Sequence, residues 1–294
     1  MSKETPLSVA EREFILEALL QNIRLDGRDV DTFRPLSVTF GEEYGHVRVK
    51  LGQTSLVVRI SAEVTKPRDD RQSDGTFSIA MELTSMGSPA WENLRQNEFE
   101  TYVSRVLDRV IRHSNALDTE SLCILKGKSA WNIRADVHVI DFDGNLIDTA
   151  CIGIMAGLQH FRRPDIEVKE GQVTVFGVDE RVPVPLNITH RPLSITFQSF
   201  HEGKVLVLDA TRKEEQASEG DLIIALNNSG ETCAVYKSAG SPVSAIEVVK
   251  KTHFALRKVQ EINGIINKAL ESDLARRAKV NRAAEANAEN DREG

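Results

Sequence analysis

The order in which apolar residues recur along the chain constrains its fold more than any other feature. Hydrophobic residues first recur at every second position, in runs at 36–40, 47–51 and 56–60, and then at helical spacing between 99 and 111. Two more strand-like runs near 122–125 and 133–140 precede an almost wholly apolar helical segment at 149–161. Period two is typical of strands, and a period of three to four is typical of helices. The first half therefore predicts a sheet packed against helices.

The second half repeats this order in outline, after a break at residues 164–165. Strand-like runs are predicted at 172–176, 193–200, 204–209, 222–227 and 232–237, followed by a long helix from about 242 to 270. The pattern predicts an α+β fold of two similar βα halves, with mixed sheets packed on helices. Four parts are expected: an N-terminal helix in residues 1–22, a first half at 23–165, a second half at 166–272, and a polar, disordered tail at 273–294. Ser8 and Glu11 have the spacing of a capping box at the start of the first helix.

Composition narrows the function classes. A chain of 294 residues with 40% hydrophobic content can fill a core, and its net charge of -7 argues against a protein that coats nucleic acid by itself. Cys123, Cys151 and Cys233 are far apart in apolar contexts, which predicts reduced thiols, and no metal or cofactor is implied. There is no apolar run of membrane-span length and no signal-peptide pattern. The expected compartment is the cytosol or the nucleus, with no membrane partner.

Residues 139–150, VIDFDGNLIDTA, have the outline of a phosphotransferase site. An apolar strand leads to Asp141 and Asp143, which is how haloacid-dehalogenase-like phosphatases present a nucleophilic carboxylate and a second acid. However, Asn145 stands where that family has threonine, and Asp221 offers one late acid where two would bind magnesium. A turn between a strand and a helix explains the same residues without catalysis, and we favour that interpretation.

Three local motifs and three longer stretches carry a family resemblance. The motifs are RLDGR at 24–28, VRVKLGQTSLVV at 47–58, and a helix with Arg105, Arg109 and Arg112. On these the chain resembles the ribonuclease PH-like proteins from about residue 7 to 270. Residues 118–150, 160–165 and 182–186 are similar, within that family, to the non-catalytic ring subunits of the eukaryotic RNA exosome.

The resemblance implies a fold whose active members are phosphorolytic 3′-to-5′ exoribonucleases. The family's phosphate-binding turn falls at 144–148, where arginine is absent and Asp148 is present. A carboxylate there would repel phosphate, so we expect a chain that is not an enzyme and has no catalytic residue. The family's acidic pair aligns with Glu215 and Asp221, as vestigial positions. For these acids we favour plain solvation on a loop at 212–220. An active phosphorolytic exoribonuclease is the alternative.

The resemblance also implies partners and a location. The partners are other ribonuclease PH-like subunits of a six-membered ring, cap subunits with RNA-binding modules, a hydrolytic nuclease reached through the complex, and single-stranded RNA. The task is 3′-to-5′ RNA processing and decay, ribosomal RNA included, in the nucleus, the nucleolus and the cytoplasm. The RNA-binding candidates are Arg105, Arg109 and Arg112 along one helical stripe, Arg68 and Arg71 in the polar loop 66–75, and Arg95. A solvated face remains the open alternative for these arginines.

Overall fold

A computed structural model describes residues 7–91, 98–169, 172–177 and 180–293 of the chain. The helices are α1 Val9–Leu20, α2 Glu98–Leu107, α3 Leu146–His160, α4 Arg212–Ala217 and α5 Ala245–Glu293. The strands are β1 Leu36–Phe40, β2 His46–Leu51, β3 Thr54–Thr65, β4 Thr76–Glu82, β5 Cys123–Leu125, β6 Ser129–Asp141, β7 Arg162–Arg163, β8 Ile166–Lys169, β9 Gln172–Val175, β10 Val184–Pro185, β11 Leu193–Phe200, β12 Val205–Leu208, β13 Gly220–Leu226 and β14 Thr232–Lys237. The predicted capping box at Ser8 and Glu11 is confirmed.

The first half is built on a six-stranded mixed sheet with the order β1-β2-β3-β6-β4, in which β5 also pairs with β6. The pairs β1-β2, β2-β3 and β3-β6 are antiparallel, whereas β4 pairs with β6 in the parallel direction. The sequence prediction missed β4. Its alternation of Phe77, Ile79 and Met81 was nevertheless present in the sequence.

The second half contains a four-stranded antiparallel sheet with the order β12-β11-β13-β14. The short strand pairs β7-β10 and β8-β9 lie between the two sheets in sequence. Helix α3 contacts β2 and β3 of the first sheet and β11 of the second, so nearly all of its residues are buried. A Cβ atom at Gly153 would lie 2.7 Å from a methyl group of Val58, so the helix backbone packs directly on the sheet at this glycine. The shared core therefore joins both halves; the boundary at 165/166 stays a proposal.

The C-terminal helix extends beyond its predicted end. Apolar periodicity ended it near 270 and predicted a disordered tail from 273, but α5 continues to Glu293. Asp273 is buried and accepts hydrogen bonds from Arg276 and Arg277, and both arginines also donate to the Gly41 carbonyl. We call this docked turn, residues 273–277, the α5 latch. Its contacts are polar, so an apolar pattern could not predict them.

His160, at the end of α3, anchors the latch from inside. The Gly45 N–H donates to His160 Nδ1 at 3.0 Å, so the ring proton lies on Nε2, which is 3.1 Å from Asp273 Oδ2. Burial, aided by the nearby Arg277 guanidinium, lowers the pKa of His160 to about 4. The imidazole is therefore neutral in the folded chain at neutral pH.

We expect acid to weaken the fold through His160. The folded state binds this proton with a pKa of about 4 and the unfolded state with one near 6.5, so the free energy of unfolding falls as pH drops from about 6.5 to about 4. The contribution is at most about 3 kcal/mol. Urea denaturation across this pH range measures it. In His160→Gln, which cannot titrate, the slope between pH 4 and 6.5 should be shallower than in the parent; equal slopes would contradict the assignment.

No helix among the described residues is long and apolar enough to cross a membrane.

Candidate functional site

A buried ion network holds the turn between β6 and α3 against the second half. The Arg34 guanidinium donates to Asp209 through Nε at 3.0 Å and Nη2 at 2.8 Å, and to the Asp143 carbonyl oxygen at 2.7 Å. Arg28 adds a hydrogen bond of 2.9 Å to Asp209, which is completely buried. Burial by itself would raise the pKa of the Asp209 carboxyl, but the Arg34 hydrogen bonds hold it below its usual value. Asp209 is therefore an anion at neutral pH.

A second buried pair lies beside it. Arg24 donates to both carboxylate oxygens of Glu214, at 3.0 and 2.6 Å, and to the carbonyl oxygens of Leu208 and Asp209. Both side chains are almost fully buried. Arg24 and Arg28, which the sequence analysis used only as marks of resemblance, thus tie the segment before β1 to the end of β12.

The turn at residues 144–148, where the sequence resemblance led us to expect the phosphate site, is closed by protein groups. Asn145 is in the left-handed conformation with φ 52°, and its side-chain amide donates to Asp209 Oδ1 at 2.8 Å. Its backbone N–H donates to Glu215 Oε1 at 2.7 Å. Asp148 is buried and accepts from the backbone and the hydroxyl of Thr196 at 2.8 and 2.7 Å. Burial raises the pKa of Asp148 to about 7.

An acidic cavity of about 240 Å³ lies beside this turn. Its lining includes Glu215 and Asp221, so the structure brings the two predicted vestigial positions together. Glu219 is a third carboxylate, and none of the described lining residues is a lysine, arginine or histidine. Asp148 does not line this cavity, because its carboxyl group faces Thr196, so the expected repulsion of phosphate by Asp148 has no support in the cavity itself.

Burial shapes the ionisation of these acids. It raises the pKa of Glu215 to about 8 and also raises the pKa of Asp221. Asp221 accepts a hydrogen bond from the Tyr102 hydroxyl at 2.5 Å and another from the Ser238 hydroxyl.

The interpretation of residues 212–220 as a solvated loop is wrong. Thr211 caps a short helix, α4, and this turn directs Glu215 inward to the Asn145 N–H.

The candidate arginines form two groups instead of one stripe. Arg105 and Arg109 line a second cavity, of about 480 Å³, together with Tyr102 and Tyr236. We call it the tyrosine-arginine cavity. Arg112 instead lines a third cavity, of about 400 Å³, together with Arg68 and Arg71. A π-helical turn at Asp108–Arg112 contains both Arg109 and Arg112, so their spacing departs from that of a regular α-helix.

The remaining candidates are separate from these cavities. Arg95 lies outside the described residues. Asp141 is exposed at the end of β6, and the carboxylate of Asp143 lies 3.3 Å from Arg34. Among the residues that the structure describes, no group of three or more acids, histidines or cysteines could hold a metal ion.

The sequence analysis missed Tyr236, which lines the tyrosine-arginine cavity. A tyrosine in a strand-like run, with no motif around it, gives no signal of a site.

Comparison with known proteins agrees with this architecture. Profiles of the 3′ exoribonuclease family (RNase_PH) match residues 32–164 as domain 1 and 190–258 as domain 2. The exosome complex component rrp45 of Schizosaccharomyces pombe is 43% identical over 292 residues, covering 99% of this chain and 100% of that protein. Exosome complex component RRP45 of Saccharomyces cerevisiae is 41% identical over the full length of both. A chain of the Archaeoglobus fulgidus exosome, solved with RNA bound to the active site, superposes with a TM-score of 0.74 at 27% identity, covering 86% of this chain and 97% of that one.

Proposed function

The chain belongs to the 3′ exoribonuclease (RNase PH) family, and from this we propose that it is a non-catalytic ring subunit of the RNA exosome. Near full-length identity to two relatives named as exosome components supports the assembly. Its task is to build the six-membered ring and to help line the channel that threads single-stranded RNA for 3′-to-5′ processing and decay.

The proposed partners are other ribonuclease PH-like subunits in the ring and cap subunits with RNA-binding modules. RNA that passes the ring reaches a hydrolytic nuclease elsewhere in the complex. We propose a nuclear and a cytoplasmic pool, with a nucleolar share for ribosomal RNA processing. The superposition on an exosome chain solved with RNA supports a ring position next to RNA.

The proposal that phosphorolysis has been lost depends mainly on the acidic cavity. A phosphate dianion needs cations and free N–H donors, yet the described lining offers three carboxyl groups and no basic side chain. The Asn145 N–H, a donor at the start of α3, is taken by Glu215. Arg34, which contacts the turn, is directed inward onto Asp209 and the turn's own carbonyl groups.

We therefore expect no phosphate-dependent degradation of RNA by the purified chain. The assay uses 3′-labelled RNA with and without inorganic phosphate and follows the release of nucleoside diphosphates; an active archaeal exosome serves as the positive control. Any background degradation by contaminating nucleases should be equal in the parent chain and in Asp221→Asn, since those nucleases do not depend on this residue. Diphosphate release that requires phosphate and disappears in Asp221→Asn would establish the alternative, an active exoribonuclease.

The RNA contacts are proposed for the two arginine groups. Arg105 and Arg109 are exposed in the tyrosine-arginine cavity, and Arg68, Arg71 and Arg112 are exposed around the third cavity. Exposed guanidinium groups suit phosphate recognition, which is independent of sequence. Arg95 stays a proposal from the sequence alone.

A further inference from the structure

We propose that the tyrosine-arginine cavity is a subsite for one nucleotide of single-stranded RNA, whose base stacks on a tyrosine wall and whose phosphates contact Arg105 and Arg109. This inference depends on the proposed function as a channel-lining subunit. It adds a base-stacking role for Tyr236 and assigns the vestigial acid Asp221 as a positioning residue.

The cavity has the size and the wall that a nucleotide requires. Its volume of about 480 Å³ lies within the range of about 300 to 1,000 Å³ that is typical of small-molecule sites. One wall is formed by Tyr102, Val106 and Tyr236, with the two tyrosine ring centroids 6.0 Å apart and the rings tilted by 46°. Stacked atoms lie about 3.5 Å apart, so a base between the rings would need about 7 Å. The base therefore lies on the open face of the wall.

The charges at the cavity suit the phosphates on either side of that base. Arg109 lies over the Tyr236 ring at 6.0 Å, so a base that stacks on this face moves the guanidinium aside, toward the phosphates that flank the base. In the described part of the chain, neither Arg105 nor Arg109 lies in an ion pair with a carboxylate, whereas Arg112 is paired with Asp108. Glu98 is the one acid among the described lining residues. Two guanidinium groups against one carboxylate leave a net positive site.

Asp221 fixes the orientation of the wall from the adjacent acidic cavity. Tyr102 lines both cavities, and its hydroxyl donates to Asp221 at 2.5 Å. Burial, with Asp221 beside it, raises the pKa of Tyr102, so the hydroxyl keeps the proton that it donates. Ser238 donates to the other carboxylate oxygen. Active relatives would use this acid for catalysis. In this chain it holds an aromatic ring in place.

The wall presents aromatic faces, which every base can stack on, so binding should tolerate any sequence. The test uses the ring reconstituted with this chain and fluorescent single-stranded oligo(U) RNAs in which a single abasic residue is moved along the strand. With the parent chain, one position of the abasic residue should cost about tenfold in affinity, as loss of one base stack does. With Tyr236→Ala, oligo(U) should bind about tenfold more weakly than with the parent chain. An abasic residue at that position should then cause no further loss of affinity.

Matched variants separate stacking from other effects. Tyr236→Phe keeps the ring and should bind like the parent, and Phe14→Ala removes an exposed aromatic ring from α1 and should change nothing. Tyr102→Phe and Asp221→Asn should each reduce the abasic penalty, and the double variant should reduce it no further, because both act through one ring.

Each outcome has a distinct meaning. A ring that binds RNA through its arginines but shows no abasic penalty at any position, and equal affinity in Tyr236→Ala, overturns the stacking subsite and leaves the proposed function intact. Failure of the parent chain to enter a ring, or of that ring to bind RNA, overturns the proposed function itself. Loss of assembly in Tyr236→Ala but not in Phe14→Ala would show that a neighbouring subunit fills the cavity, and this also overturns the subsite.

Discussion

Arg34→Ala is expected to lower the free energy of unfolding by about 3 to 5 kcal/mol, because it leaves the buried Asp209 carboxylate without its main partner. Three donors of Arg34, including its backbone N–H, point to this one carboxylate. The same guanidinium also holds the Asp143 and Gly144 carbonyl groups. The loss therefore uncouples the β6-α3 turn from the second half as well as stranding a charge.

Urea denaturation of the purified chain measures this effect. Arg59→Ala is the matched control: its partner is Glu43 and both side chains are mostly exposed, so its effect should stay within about 0.5 kcal/mol. The double variant Arg34→Ala with Asp209→Asn removes the stranded anion, keeps an acceptor oxygen for Arg28 and Asn145, and should recover part of the loss. An Arg34→Ala variant as stable as Arg59→Ala would mean that water or another donor satisfies Asp209, and the network would not join the halves.

The second large effect is expected on RNA binding by the assembled ring. Replacing Arg105 and Arg109 together by alanine should weaken binding of single-stranded RNA about a hundredfold at low salt, since charge-assisted hydrogen bonds contribute about 1.5 kcal/mol or more each. The slope of log affinity against log salt should become shallower by about 0.7 for each lost phosphate contact. The loss should be equal for different sequences, because phosphate contacts carry no base information.

Equilibrium binding over a series of salt concentrations tests this prediction. The double variant Arg12→Ala with Arg59→Ala removes the same net charge from exposed positions elsewhere and should leave affinity and salt slope near those of the parent. Ring assembly should survive in both double variants, since exposed arginines contribute little to stability. Unchanged binding in the Arg105 and Arg109 variant would move the RNA contacts to Arg68, Arg71 and Arg112 or to the partner subunits.

Local pattern predicted most of the fold. The runs that became β1, β2, β3, β6, β11, β12 and β13 were found because one or both faces of each strand are buried, which fixes the spacing of apolar residues. Helix α3 was found because it packs between two sheets and is apolar nearly all round. Helix α4 was missed, since its six residues are mostly charged and only its cap and inward acid show its structure.

The functional residues also divide into those that the sequence predicted and those that it could not predict. The sequence identified the family, and it predicted the position of the phosphate-binding turn and of two acids, because each depends only on which residue stands where along the chain. It could not show that Asp148 faces Thr196, that Asp209 is held by Arg28 and Arg34, or that a π-helical turn contains both Arg109 and Arg112.

Sequence by itself thus determined the order of elements, the α+β class and the candidate arginines, all of which depend on neighbours within a few positions. Only the tertiary structure decided which charges are buried together and which remain exposed to solvent. The Arg34 and Asp209 side chains are 175 residues apart in sequence, and Tyr102 and Asp221 are 119 apart. Such pairs form only where packing of the two halves removes water, and no local sequence pattern indicates which residues will be paired in this way.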